Sequence, residues 1–302
     1  MVRHNLRLYL ALILAGLVAA CSSGASASPA AKIHVVAGET FYGDLVARVG
    51  GDRVAVTSIM SDPNVDAHTY ESSPENAADV ADASLVVENG FGYDTFLEHL
   101  MSASPKPERV VVDVEKVVNL PDGGDGFSCG IWYDPQAMSK VARSVADALS
   151  TIEPGSKAAF EANLKTYVDS LTPLTDKIAK LKAAYPGAPV AYADPVPAYL
   201  VSALGWQSLT PKSFAKSIEE DTDPAPGDVA ALQDLMTGHK IKVFLYNSQV
   251  TTPMTDSLKA LATQSGVPVV AATEAIPNAG ESYVEWQLAQ LQAIESAMET
   301  GK

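Results

Sequence analysis

The chain has 302 residues, 47% of them hydrophobic, and a formal net charge of −15 at pH 7 from 21 basic and 36 acidic side chains. That acidity argues against nucleic acid or an anionic membrane surface as partner, and two cysteines, Cys21 and Cys129, cannot form a disulfide framework. The length is enough to bury a large core in one or two domains without covalent staples.

At the amino terminus Arg3 and Arg7 precede a short apolar stretch, Leu8 to Ala20, that ends in Val18, Ala19, Ala20 and Cys21. It is too short to span a bilayer as a helix and reads as a signal peptide over 1–20. The small residues before Cys21 resemble a bacterial lipoprotein box, which implies cleavage there and lipidation of the Cys21 sulfur. Residues 21–31, rich in Ser, Ala and Gly, form a tether. Loss of Arg3 and Arg7 leaves 19 basic against 36 acidic residues, a charge of −17. The mature chain is expected to be extracytoplasmic, anchored outside the cytoplasmic membrane by its lipid rather than embedded in it.

Short apolar runs then alternate with helical patterns. IHVVAG (33–38), VAVTSIM (54–60), ASLVVENG (83–90) and ERVVVDV (108–114) read as strands in the first half, and VAYA (190–193), IKVFLYN (241–247) and VPVVAA (267–272) in the second. They lack clean polar/apolar alternation, as parallel strands covered on both faces do. Helices are predicted near 39–49, 74–83, 94–102, 195–204, 227–237 and 254–265, and Val284, Leu288, Leu291, Ile294 and Met298 line one face of a closing helix. The order defines an α/β fold of two βα lobes with mostly parallel sheets and a ligand cleft between them, over 32–152 and 186–302. Between the lobes, 153–185 carries Phe160, Leu164, Tyr167, Leu171, Leu174, Ile178 and Leu181 at helical spacing, a long connecting helix in which Pro173 makes a kink or a boundary.

The most informative segment is SDPNVDAHTYESS, from Ser61 to Ser73. Ser73 and Pro74 read as an N-cap with proline at the first helical position. His68 therefore stands in the loop that leaves the carboxyl end of a strand, where open α/β sheets place their ligands. A lone loop histidine is by default a solvated residue, and one imidazole binds a metal weakly. Three further donors would have to converge on it. Asp194 directly follows VAYA and Glu274 follows VPVVAAT, although Asp194 before Pro195 is also a good helix N-cap and Glu274 also suits a surface turn.

DAHTYESSP resembles the first metal-ligand loop, of the form DPHxYEPxP, of the zinc- and manganese-binding lipoproteins that serve ABC importers, the cluster A-I or cluster 9 proteins; Ala67 stands where the proline before the histidine is usual. The resemblance extends from about Lys32 to Met298. It implies metal ligation by His68, Asp194 and Glu274, an ABC permease and its ATPase as partners, and Zn2+ or Mn2+ as the carried ion. Relatives have NPHxWxxP at the entry to the helix after the first lobe, whereas this chain reads Ser128-Cys129-Gly130-Ile131-Trp132-Tyr133-Asp134-Pro135. Trp132 and Pro135 hold the register, so the second histidine has become Gly130. Either water takes that position, or the glycine lets the Cys129 thiolate approach the ion and favour zinc or copper(I); an inert packed thiol is the alternative. Asp66, Glu71 and Asn247 are candidates for supporting the ligands from behind.

Three functions from different classes compete. The first is a monomeric metal-capturing lipoprotein that catalyses nothing. The second keeps the fold but binds another small ligand or a metal chelate, or serves in surface adhesion. The third is a hydrolase, the weakest reading, because the chain has no GxSxG, no HExxH and no Gly-rich phosphate loop.

Overall fold

A computed structural model describes residues 31–63, 65, 70–119, 129–220, 222–249 and 251–300. The signal peptide, Cys21, Asp66 and His68 lie outside the described residues. Lys32 to the carboxyl terminus forms one compact unit.

In its first half β1 (Ile33–Glu39), β2 (Val54–Met60), β3 (Leu85–Glu88) and β4 (Val110–Asp113) alternate with α1 (Thr40–Gly50), α2 (Pro74–Asp82), α3 (Thr95–Ala103) and α4 (Val114–Val118). The strands form one sheet in the order β2-β1-β3-β4, wholly parallel, with Glu39 opposite Met60 and Glu88 opposite Asp113 at the carboxyl ends. The strands β1 and β3 are buried almost throughout, which is why their sequences do not alternate. Ser73 caps α2 as expected: its hydroxyl accepts from the Asn76 backbone N–H while the Asn76 side chain accepts from the Ser73 N–H, and Pro74 occupies the first turn.

Next come α5 (Pro135–Ile152), α6 (Lys157–Ser170) and α7 (Thr172–Ala184). Over 153–185 the chain makes a short 3-10 turn at Pro154–Ser156 and then two helices that meet at Leu171, so Pro173 marks a boundary rather than a kink. It has no N–H to donate back into α6 and is tolerated only in the first turn of a new helix. α6 packs on α1 and α5, and α7 on the last helix of the chain, Tyr283–Thr300.

The second half repeats the design with β5 (Pro189–Tyr192), α8 (Ala198–Ala203), β6 (Gln207–Ser208), α9 (Lys212–Glu219), α10 (Pro226–Thr237), β7 (Val243–Asn247), α11 (Pro253–Gln264), β8 (Val269–Ala272) and α12 (Tyr283–Thr300). Its sheet is also parallel, in the order β6-β5-β7-β8. The strand β6 and the helices α4 and α9 have no counterpart in the sequence reading, being too short to show a period.

Aromatic side chains from both halves close the seam between the lobes. Phe41 of α1 lies 4.8 Å from Trp132 and 5.9 Å from Trp286 of α12, ring centre to ring centre, and Tyr133 lies 6.1 Å from Trp286. Three of the polar ends are used: the Tyr283 hydroxyl donates to the Trp132 carbonyl at 2.6 Å, that of Tyr133 to the Thr273 carbonyl at 2.9 Å, and the Trp286 indole N–H to Thr273 Oγ1 at 2.7 Å. Aromatic pairs of this kind add about 0.5–1.5 kcal/mol each beyond the area they bury. Among the described residues no helix is long and apolar enough to cross a membrane.

Candidate functional site

Each sheet reverses its order of strand addition between its two central strands, β1 and β3 in one lobe and β5 and β7 in the other. Loops leaving neighbouring carboxyl ends diverge at such a point and leave a crevice. Asp194 lies two residues beyond β5, Asn247 is the last residue of β7, and Glu274 lies two residues beyond β8.

The structure brings these three together. The Asn247 side-chain Nδ2 donates to Asp194 Oδ2 at 3.1 Å and also to Glu274 Oε1. Its orientation is set from the other side, where Asn247 Oδ1 accepts from the Gln249 N–H at 3.0 Å. Gln249 supports Glu274 as well, accepting from the backbone N–H groups of Glu274 and Ala275 at 2.7 and 2.9 Å. Glu274 is only 7% exposed, so it is not a surface-turn acid, and Asn247 is 2% exposed. Asp194 is not the N-cap of α8, which starts later, at Ala198; its Oδ1 instead accepts from the Val196 N–H at 3.0 Å and stiffens the turn into that helix. Its other oxygen is the one turned to Asn247.

The first lobe reaches the same acids through Tyr93, whose hydroxyl donates to Glu274 Oε2 at 2.8 Å. Burial, reinforced by the Glu274 charge, raises the Tyr93 pKa well above the usual phenol range, so it stays a donor. Sequence reading passed over Tyr93 because it sits in the Gly90–Gly92 turn, with no strand or motif to mark it; the positive φ of Gly90, Phe91 and Gly92 produces that turn. Tyr70, beside the expected histidine loop, donates to Asn76 Oδ1 at 2.8 Å and packs on Phe96, which ties the end of the loop to α2 and α3. Glu71 is exposed.

Cys129 is 3% exposed and carries a free thiol. Burial raises its pKa well above the ordinary thiol value, and the carboxylates of Glu219, to which it is hydrogen-bonded, Glu274 and Asp194 raise it further. Its backbone carbonyl is held by the Asn89 side-chain amide at 3.1 Å, and Asn89 in turn accepts from the Tyr42 hydroxyl at 2.6 Å. Gly130 does not open the site, as a lost side chain would suggest. A Cβ there would meet the Val196 carbonyl oxygen of the opposite lobe at 2.1 Å, so the missing side chain is what lets the two backbones touch. A histidine at this position is incompatible with the lobe spacing seen here.

Among the described residues no three His, Cys, Asp or Glu side chains stand in a ready metal-binding arrangement. Two acids sharing one amide nitrogen supply hard oxygen donors, and they need a cation or hydrogen-bond donors between them to offset their mutual repulsion.

The molecule is thus a two-lobed α/β protein, each lobe built on a parallel sheet, with two acids gathered at the strand ends of the second. The chain is 26% identical over 299 residues to the manganese ABC transporter substrate-binding lipoprotein scaA of Streptococcus gordonii, covering 90% of this chain and 91% of that one. Among solved structures it resembles the periplasmic zinc binding protein TroA of Treponema pallidum (TM-score 0.74, 19% identity, 89% of this chain and 99% of that one). It is also similar to the laminin binding protein Lmb of Streptococcus agalactiae, described as a bifunctional protein with adhesin and metal transporting activity (TM-score 0.72, 21% identity, 87% and 98%). The model of the ZnuA family, zinc-uptake complex component A, periplasmic, matches residues 35–297, and the chain belongs to that family.

Proposed function

We propose that this protein captures a divalent metal ion, Zn2+ or Mn2+, outside the cytoplasmic membrane and delivers it to an ABC permease driven by its ATPase. The observation that carries this reading is the convergence of Asp194 and Glu274 on one side-chain nitrogen at the strand ends of the second lobe, in a chain of the ZnuA family. His68 supplies the imidazole from the first lobe. The lipid on Cys21 tethers a monomer, and no reaction is catalysed. Asn247 and Tyr93 hold the acids in place until the ion replaces part of their hydrogen bonding. One imidazole with carboxylates admits both manganese and zinc.

The test is metal analysis after chelation and refilling. Wild-type protein is expected to take up one equivalent of Mn2+ or Zn2+, and His68→Ala or Asp194→Ala to lose it. Absence of uptake by the wild type at micromolar metal would overturn the reading in favour of another small ligand or a chelate.

A further inference from the structure

The outer edge of the second sheet holds a cavity that the metal-binding reading does not use. Its volume is about 310 Å³, at the lower end of the range for small-molecule sites. The strand β6 forms that edge, paired on one side only, with Ser208 opposite Val190 of β5. Side chains two apart along an extended segment share a face, so Trp206, Ser208 and Thr210 turn the same way. All three line the cavity, together with Tyr192 of β5 and Val201 of α8.

Two polar atoms of this lining stand out. Trp206 is 6% exposed, and its one polar side-chain atom, Nε1, has no acceptor among the described residues. The buried Ser208 hydroxyl oxygen has no partner among them either. The next residue on the same face shows that the strand itself does not impose this: the Thr210 hydroxyl donates to the Tyr192 carbonyl at 3.1 Å and accepts from the Tyr192 N–H at 2.8 Å. A buried indole N–H ordinarily finds an acceptor.

Charge narrows the class of acceptor. Acidic side chains outnumber basic ones by 36 to 21 in the chain, yet none is among the described residues that line this cavity, and the one charged residue there, Lys212, is a cation. Lys212 is also the first residue of α9, the end at which a helix carries partial positive charge. Two donors beside a cation suit an anion, and the walls made by Tyr192, Trp206 and Val201 suit an apolar remainder. A second negative charge would be buried without a cation of its own.

We propose that this cavity is a further binding site, separate from Asp194 and Glu274, for a small aliphatic monocarboxylate. One carboxylate oxygen accepts from Trp206 Nε1–H and the other from the Ser208 hydroxyl, the charge faces Lys212, and the short apolar chain lies against Tyr192 and Val201. The site does not depend on whether the protein binds a metal.

The test is a titration of the mature lipoprotein, in detergent and labelled with 15N-tryptophan, with sodium butyrate at constant ionic strength. The Trp206 indole N–H signal, assigned as the one lost in Trp206→Phe, is expected to shift saturably at millimolar butyrate or below. Lys212→Gln and Ser208→Ala are each expected to weaken binding about threefold or more, as loss of one hydrogen bond or its charge does. The neutral isostere butyramide is expected to bind more weakly than butyrate. A signal that stays in place or drifts without saturating overturns the proposal, as does an equal response to butyramide or unchanged binding by Lys212→Gln. Should Trp206→Phe not fold, a wild-type crystal soaked in sodium bromoacetate decides: anomalous bromine signal inside the cavity supports the site, and a cavity without it ends the proposal.

Discussion

Asn247 is the residue on which the second lobe's half of the site turns, because one amide group faces two carboxylates that would otherwise repel each other. Around it, neighbouring residues have sharply different roles. Cys129 lies within the electrostatic influence of the acids, yet its thiol is buried and bonded to Glu219. Cys129→Ser is therefore expected to leave zinc and manganese affinity within about twofold, as read by competition with a metal-sensitive dye; selective loss of zinc binding would put the sulfur on the ion. Gly130 is fixed by space alone. Gly130→Ala drives a methyl into the Val196 carbonyl and is expected to destabilise the protein by about 1–3 kcal/mol in chemical denaturation, in the range of overpacked sites. An unchanged stability would show that the lobes separate there without cost.

At the scale of elements, α6 and α7 form the connection over 153–185 as two helices, and the aromatic seam ties α1 to α12 independently of it. Trp132 is fully buried between Phe41, Tyr93 and Tyr133. Trp132→Ala removes its ring contacts with Phe41, Tyr93 and Tyr133 and is expected to cost about 3–5 kcal/mol in stability by chemical denaturation. It should also weaken metal affinity, because the turn it anchors, Ile131–Tyr133, runs directly on from Gly130. A variant as stable as wild type would remove the seam from the account of lobe spacing.

For the whole molecule one electrostatic feature is a set of buried acids in the first lobe, Glu39 and Glu88 at strand ends and Asp94 at the start of α3. Burial, helped by Asp94, Asp113 and Glu98 and opposed by Lys116, raises the Glu88 carboxyl from 4.5 to about 7. Burial raises Asp94 from 3.8 to about 6 against the backbone N–H groups of Asn89 and Gly90 that favour its charge. An acid with a raised folded-state pKa binds its proton more tightly folded than unfolded, so its stabilising effect is complete below the unfolded value and is lost as pH rises through the folded one. The metal-free protein is thus expected to melt at a higher temperature at pH 5 than at pH 8, with most of the change between about 4.5 and 7. Glu88→Gln should flatten that slope; a melting temperature that does not fall across the window would contradict the burial of these groups.

What the chain's residues determined unaided were the features that depend on near neighbours. The unbroken apolar runs at 33–38 and 241–247 required parallel, two-sided burial, Ser73-Pro74 required a helix start, and Asp194 and Glu274 drew notice because each follows a strand directly. Even the break at Pro173 follows from one missing N–H. Tertiary structure alone decided which distant groups share a hydrogen bond or a volume. That Tyr93 meets Glu274 181 positions away and that Gly130 is small because Val196 arrives from the other lobe are facts about packing between segments. Periodicity and local propensity carry no information on such pairings, since the same glutamate at a strand end is equally compatible with water, a lysine or a metal until the opposing lobe is in place.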